Sequence, residues 1–291
     1  MKKIPVAILG TGNIGSDLLA KVMRSPYLEC ALFAGRSPDS KGIARANGMG
    51  IRTSAESVNA ILKDPGCCEI VLDATNAESH IQHAKALAQL NKFVLDLTPS
   101  KIGFMCIPVL NLETALEHQD VNLVSCGGQS SIPLTYALMR SCPHVEYIEL
   151  VTSIASKSAG PGTRINIDEY VEATRKGIEA FTGVKQAKAI LNLNPAEPPI
   201  DMHNTLYMEI GEEPDMAPIK VNILDMIGKM KKYTPGVKLI AGPVWENGRV
   251  TVITDIVGAG DFLPKYAGNL DIMTCAAVAV AEEYSKKKMR A

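Results

Sequence analysis

Residues 6–19, VAILGTGNIGSDLL, set three glycines, Gly10, Gly12 and Gly15, between an apolar run and an amphipathic one. A G-x-G-x-x-G that ends a strand and opens a helix is the phosphate-binding turn of a βαβ unit. Each glycine has its own reason. Gly10 permits the tight turn, Gly12 lets the backbone approach a pyrophosphate, and Gly15 lets helix and strand touch. The helix then offers its N–H groups and positive end to the phosphates. A chain that begins this way is committed to a parallel sheet.

The rest of the first half keeps the rhythm. Strand-like runs at 4–9, 29–34, 69–74, 92–97 and 121–125 alternate with helical stretches such as 16–25 and 77–90, the pattern of a parallel sheet covered on both faces. The second half has longer, partly alternating β-branched runs at 144–156, 187–193, 205–210, 237–242 and 249–258. Helical stretches at 167–181 and 219–233 interrupt them, and a last one spans 269–288. That fits a mostly antiparallel sheet with helices on one face. The boundary falls near Cys126.

In an NAD site the second strand ends in an acid about 20 residues past the glycines, bonding the ribose 2′-hydroxyl. Here it ends FAGRSPDS, offering Arg36 and Ser37. An arginine there accommodates a 2′-phosphate and favours NADP. The competing reading leaves Arg36 merely exposed, with Asp39 serving NAD.

Cys126 lies where the fifth strand stops, within SCGGQSSIPL. Ligands of open α/β sheets bind at that carboxyl edge. The serines of S-S-I-P read as caps and Pro133 as a first-turn proline, so a helix is expected to begin there. A thiol just before it would feel the helix's positive end, which lowers its pKa. Gly127 and Gly128 would let a substrate reach the sulfur. The other six cysteines, at 30, 67, 68, 106, 142 and 275, show no metal spacing and read as small buried side chains. No metal is expected. His80 and His83 read as part of a solvated helix face, and Asp73 and Asp96 as strand-end caps without a proton-transfer role.

Hydrophobic residues make up 46% and charged ones 21%, with 30 basic against 31 acidic. That balance describes a soluble globular chain and offers no basic stripe for a nucleic acid. MKKIPVAIL is too short for a signal peptide and no run suffices for a membrane span, so a cytoplasmic protein without nucleic acid or membrane partners is expected.

CGGQSSIPL, SIASKSAGPGTRINIDEY (153–170), LNPAEPP (193–199) and YAGNLDIMT (266–274) closely resemble the acylating acetaldehyde dehydrogenases, which partner 4-hydroxy-2-oxovalerate aldolase in aromatic degradation. The resemblance runs from the glycine turn almost to the C-terminus. It implies a Rossmann-type dinucleotide-binding domain, residues 1–126 with 269–291, and an α+β catalytic and dimerisation domain, residues 127–268. It implies a homodimer, NAD or NADP, and coenzyme A as co-substrate for an aldehyde or acyl-CoA. Cys126 would carry the acyl group. Thr11, Asn13 and Ile14 would contact the nucleotide with Gly12. So would Ser158, Ala159, Gly160, Pro161, Gly162, Thr163, Arg164, Ile165, Asn166 and Asn269. Asn166 and Ile167 would line the passage that receives aldehyde from the aldolase. Lys157 and Arg164 are further candidates for phosphate contact, and Gln129 and Asn166 for an oxyanion donor.

One stretch departs. Where the family has arginine-aspartate before a threonine, with the aspartate as base, this chain reads Met202-His203-Asn204-Thr205. An amide cannot accept a proton as a carboxylate does. Three accounts stay open: His203 took the acid–base role, Asn204 only hydrogen-bonds, or the acyl group differs. Two further readings accompany the first: a semialdehyde-dehydrogenase-like enzyme with another acyl donor, and a non-catalytic nucleotide-binding partner of an aldolase.

Overall fold

The computed structural model describes residues 3–142 and 144–290. The chain forms two compact units, Met1–Leu123 with Thr274–Ala291, and Val124–Met273. The first is built on strands β1 (Ile4–Leu9), β2 (Leu28–Ala34), β3 (Thr53–Ser54), β4 (Ile70–Asp73), β5 (Phe93–Asp96), β6 (Phe104–Met105) and β7 (Asp120–Asn122). They form one sheet in the order β3-β2-β1-β4-β5-β7-β6, and every pairing is parallel. Helices α1 (Asn13–Arg24), α2 (Lys41–Gly48), α3 (Asn59–Lys63), α4 (Ala77–Leu87) and α5 (Pro108–Ala115) connect them. The near-continuous apolar strands follow from burial on both faces. Ala7, Leu9, Leu32, Val71 and Val94 meet Ala60, Ile61 and Leu87 from α3 and α4 in one core cluster.

The second unit contains α6 (Cys126–Met139), α7 (Pro161–Ile165), α8 (Ile167–Thr182) and α9 (Met216–Met230), with strands β8 (Tyr147–Ala155), β9 (Gln186–Asn194), β10 (Met202–Glu209), β11 (Val237–Glu246) and β12 (Arg249–Ile256). The sheet order is β11-β12-β10-β8-β9. β8 and β9 pair in parallel and the other pairs are antiparallel. Burial alternates along β8, β10 and β12, so one face packs on helices and the other is left half-exposed. This is the expected α/β class with a mostly antiparallel second sheet.

The last helix, α10 (Gly268–Arg290), carries Thr274–Ala291 into the first unit. Tyr284 stacks on Phe93 with ring centroids 4.2 Å apart. Thr274 donates to Asp17 at 2.6 Å, and Asp17 also pairs with Lys21 at 2.5 Å. Both partners of that ion pair are buried, where a charge is tolerated only when paired and hydrogen-bonded. Among the described residues no helix is long and apolar enough to cross a membrane.

Candidate active site

The glycine turn of the first unit has the geometry its sequence requires. Gly10 lies at φ +101°, and a Cβ there would stand 2.5 Å from the Ala74 carbonyl oxygen. A Cβ on Gly15 would meet the Gly10 carbonyl oxygen at 1.8 Å, so only glycine lets α1 approach β1 this closely. A Cβ on Gly12 would meet nothing within 4 Å. Gly12 caps α1 without a side-chain hydrogen bond, and no acid occupies the first turn. An uncapped helix start beside open space is the arrangement an anionic pyrophosphate fits. Asn13 is exposed and Ile14 half-buried at that start. Thr11 bonds Ser40 side chain to side chain at 2.7 Å, which ties this turn to the segment after β2. Arg36 and Ser37 are exposed on that segment, and Arg36 has no partner among the described residues.

In the second unit, Cys126 follows a strained turn. Val124 lies at φ 63°, a left-handed conformation that a β-branched residue adopts only under constraint. A Cβ on Gly128 would come 2.8 Å from the Val124 Cγ1, and one on Gly177 2.7 Å, so these two glycines form the slot for its side chain. Ser125 then caps α6, its hydroxyl accepting from the Gly128 N–H at 2.9 Å. Cys126 is the first helical residue. The helix therefore begins ahead of the S-S-I-P stretch, with Ser125 and not Ser130 or Ser131 as its cap. Pro133 lies in the helix interior, and Ser130 and Ser131 donate to the Gly127 carbonyl at 3.0 and 2.7 Å instead of capping.

Gly127 and Gly128 also differ from expectation. They make room for the protein's own side chains. A Cβ on Gly127 would stand 2.3 Å from the Tyr170 hydroxyl oxygen. Tyr170 is 8% exposed, and its hydroxyl makes no hydrogen bond among the described residues. Cys126 is half-buried. Burial pushes its thiol up to about 11, against the Tyr170 hydroxyl and the Gly127 backbone, which favour the thiolate. The expected acidic thiol is therefore not the resting state; the helix start alone does not overcome desolvation. Cys30, Cys68 and Cys106 are driven to about 12 by burial.

Alternation along β10 separates the two residues that replace the family's arginine-aspartate. Asn204 is buried on the helix-covered face, where its Oδ1 accepts from Thr152 at 2.8 Å and its Nδ2 has no partner among the described residues. His203 points to the half-exposed face and bonds Asp255 at 2.7 Å. A Cβ on Gly127 would stand 3.1 Å from Leu150 Cδ2, and Leu150 is buried on the same face as Thr152. The thiol's helix therefore covers the face that His203 turns away from. His203 thus bonds Asp255 on the face away from α6, while Asn204 lies on the face that α6 covers and offers an amide, which cannot take up a proton as a carboxylate does.

The segment 156–166 closes on itself. Arg164 donates to the Ala159 and Ser156 carbonyls, each at 3.0 Å, and to the Ser156 hydroxyl at 2.8 Å. Lys157 pairs with Glu197 at 2.5 Å. Both cations proposed for phosphate contact thus already have partners. Ser158 and Ala159 are buried, Gly160 and Thr163 half-buried, and Ile165 80% exposed. Pro161 and Gly162 belong to α7, and their side chains lie outside the described set. Asn166 precedes α8 and is half-buried, as is Ile167. Gln129 is wholly buried in the first turn of α6. Asn269, at the start of α10, is 2% exposed, and its Oδ1 has no partner among the described residues.

Sequence reasoning missed Tyr170. It sits in the quoted INIDEY stretch, and its one signal was its place in the helical stretch 167–181, which does not reveal what the hydroxyl faces. Asp73, His80, His83 and Asp96 form a second buried cluster, in the first unit. Asp73 Oδ2 binds His80 Nδ1 at 3.0 Å and His83 Nδ1 at 2.7 Å. Both histidines are buried, at 0% and 6% exposure, which corrects the solvated-face reading.

Residues 126–264 match the family described as prokaryotic acetaldehyde dehydrogenase, dimerisation. Residues 5–118 match semialdehyde dehydrogenase, NAD binding domain. An acetaldehyde dehydrogenase of Pectobacterium atrosepticum is 49% identical over 98% of this chain and 96% of its own length. One of Geobacillus stearothermophilus is 48% identical over 100% of this chain and 99% of its own. The crystal structure of aspartate semialdehyde dehydrogenase II from Vibrio cholerae aligns with a TM-score of 0.65 over 97% of this chain and 98% of that one. At 14% identity, it shows a common fold.

Proposed function

Because the chain belongs to the acetaldehyde dehydrogenase family, an oxidoreductase family with a nicotinamide-binding domain, we propose that it is the CoA-acylating form. Cys126 is the nucleophile. Its sulfur adds to the aldehyde carbon, giving a thiohemiacetal whose carbon loses hydride and becomes a thioester on the enzyme. Coenzyme A takes the acyl group by thiol exchange, and the sequence runs backward as acyl-CoA reduction. The nicotinamide, when bound, accepts or returns the hydride. The chain's own part is to hold the sulfur at the head of α6, present the Gly127 N–H to it, and keep water from competing for the thioester.

The observation that carries this reading is the placement of Cys126. It is a half-buried thiol at the first position of a capped helix, directly after a strained turn. The semialdehyde-dehydrogenase-like alternative drew on His203, which lies on the opposite sheet face.

Cofactor contact is assigned to the glycine turn, to Ser158–Asn166 through backbone rather than through Arg164, and to Asn269. Arg36 supports NADP over NAD. The half-exposed face of the second sheet supports a homodimer. Asn166 and Ile167 are assigned to the mouth that would receive aldehyde from a 4-hydroxy-2-oxovalerate aldolase. The test is incubation with acetyl-CoA and NADH or NADPH, followed at the nicotinamide absorbance, with mass spectrometry of the Cys126 peptide. Nicotinamide oxidation with an acetyl group on Cys126 is expected. A Cys126→Ser enzyme that oxidises the nicotinamide at the native rate would end the proposal.

A further inference from the structure

A buried tyrosine whose hydroxyl has no hydrogen-bond partner among the described residues is the least expected feature of the second unit. Phenylalanine would fill the same space without burying an unpaired polar atom. The chain nevertheless keeps the hydroxyl and also omits a Cβ at position 127, where it would stand 2.3 Å from that oxygen. The neighbouring hydroxyls are already engaged. Thr152 donates to Asn204 at 2.8 Å, and Thr174 donates to the Tyr170 carbonyl at 2.7 Å. Thr174 and Ser125 also bond each other through their hydroxyls at 2.7 Å. Each threonine gives its proton elsewhere and so does not donate to the phenol, and among the described residues the Tyr170 proton meets no acceptor in hydrogen-bond geometry.

We propose that Tyr170 is the hydrogen-bond donor to the Cys126 sulfur, acting in this chain where the resembling family has a carboxylate near the thiol. The inference rests on the reading of Cys126 as nucleophile. The S–H bond breaks and its proton passes to solvent water, while the tyrosine O–H bond stays intact and points at the sulfur anion. Tyr170 is not a base. Burial, and after it the neighbouring Cys126, hold the phenol well above its usual range, so it remains a donor throughout. Tyr170 is the titratable neighbour that acts on Cys126. The sheet beneath contributes Leu150, Thr152 and Asn204, which do not titrate. A donor to the thiolate favours the charged form and lowers the thiol pKa. The Nδ2 of Asn204, which has no partner among the described residues, adds a second donor on the same sheet face and no acceptor that a proton could move to.

The experiment measures iodoacetamide alkylation of Cys126 against pH in the full chain and in Tyr170→Phe, resolved by peptide mass spectrometry because seven cysteines are present. Thermal unfolding and acetyl-CoA reduction are recorded alongside. The alkylation midpoint is expected to rise by about one pH unit and reduction at neutral pH to fall about tenfold, the factor one unit represents. The melting temperature should change little, because among the described residues the hydroxyl has no partner whose loss would strand another buried polar group. His203→Ala is the control and should leave the midpoint in place. An unmoved midpoint in Tyr170→Phe, in an enzyme that still needs Cys126, overturns the tyrosine inference alone. Activity that survives Cys126→Ser overturns the underlying reading instead. If Tyr170→Phe does not fold, 3-fluorotyrosine placed at 170 gives the same information with the opposite sign. Its more acidic phenol should lower the midpoint, and no change would sink the inference.

Discussion

Val124 and Arg36 show two ways in which a single residue is set by what surrounds it. For Val124, a left-handed backbone costs about 1–3 kcal/mol, offset by a side chain seated between Gly128 and Gly177. That seat fixes the turn that delivers Cys126 to the head of α6. Arg36 has the reverse character, exposed and without a partner among the described residues. On the proposed NADP reading, its partner would be a ligand that brings negative charge to the end of β2. Arg36→Ala is therefore expected to raise KM for NADPH about tenfold while changing KM for NADH little; steady-state kinetics with both cofactors checks this. Equal changes would return the position to Asp39. The glycine fingerprint was legible because Gly10 and Gly15 answer local steric demands and Gly12 keeps the helix start open to a ligand. The roles of Gly127 and Gly128 were not, because what they accommodate comes from Tyr170, far along the chain, and from the strained Val124.

Among the elements, α4 is the most instructive. Its helical period was readable at 77–90, but its inward stripe is His80, His83 and Leu87, while Ile81 faces out at 36% exposure. The inversion follows from a neighbour. β4 ends in Asp73, which is 0% exposed, and a buried carboxylate draws polar partners inward. Burial by itself would lower the His80 pKa, but the Asp120, Asp73 and Asp96 carboxylates outweigh it and lift it to about 10. Asp73, desolvated but held by both imidazoles, sits well below the usual carboxylate range. Desolvation raises Asp96 to about 6. His80 is raised above its unfolded value, so its stabilisation is complete below about pH 6.5. It fades as pH climbs toward 10. His80→Gln should cost about 3 kcal/mol at pH 6, the usual loss for breaking a buried pair. It should also flatten the fall in melting temperature between pH 6.5 and 10; calorimetry at several pH values decides. A variant with the native slope would remove His80 as its source. The two-residue strands β3 and β6 and the short helices α2, α3 and α5 escaped sequence reading for a simpler reason. They span too few residues for a period to show.

At the scale of the molecule, composition and periodicity separated a parallel half from a mostly antiparallel half because burial on two faces and on one write different patterns. The same logic applies to the face that the second unit leaves bare. Val151, Tyr207 and Ile253 alternate with buried residues there, and edge strand β11 exposes Ile240 at 51% and Val244 at 54%. If a second copy covers that surface, folding and association are one equilibrium, and the stability of the chain is a function of how much of it is present. A tenfold dilution should lower the melting temperature by a few degrees, a trend a self-sufficient monomer would not show. Scarcity would then act on this chain as a mild denaturant, and its abundance would regulate its own persistence.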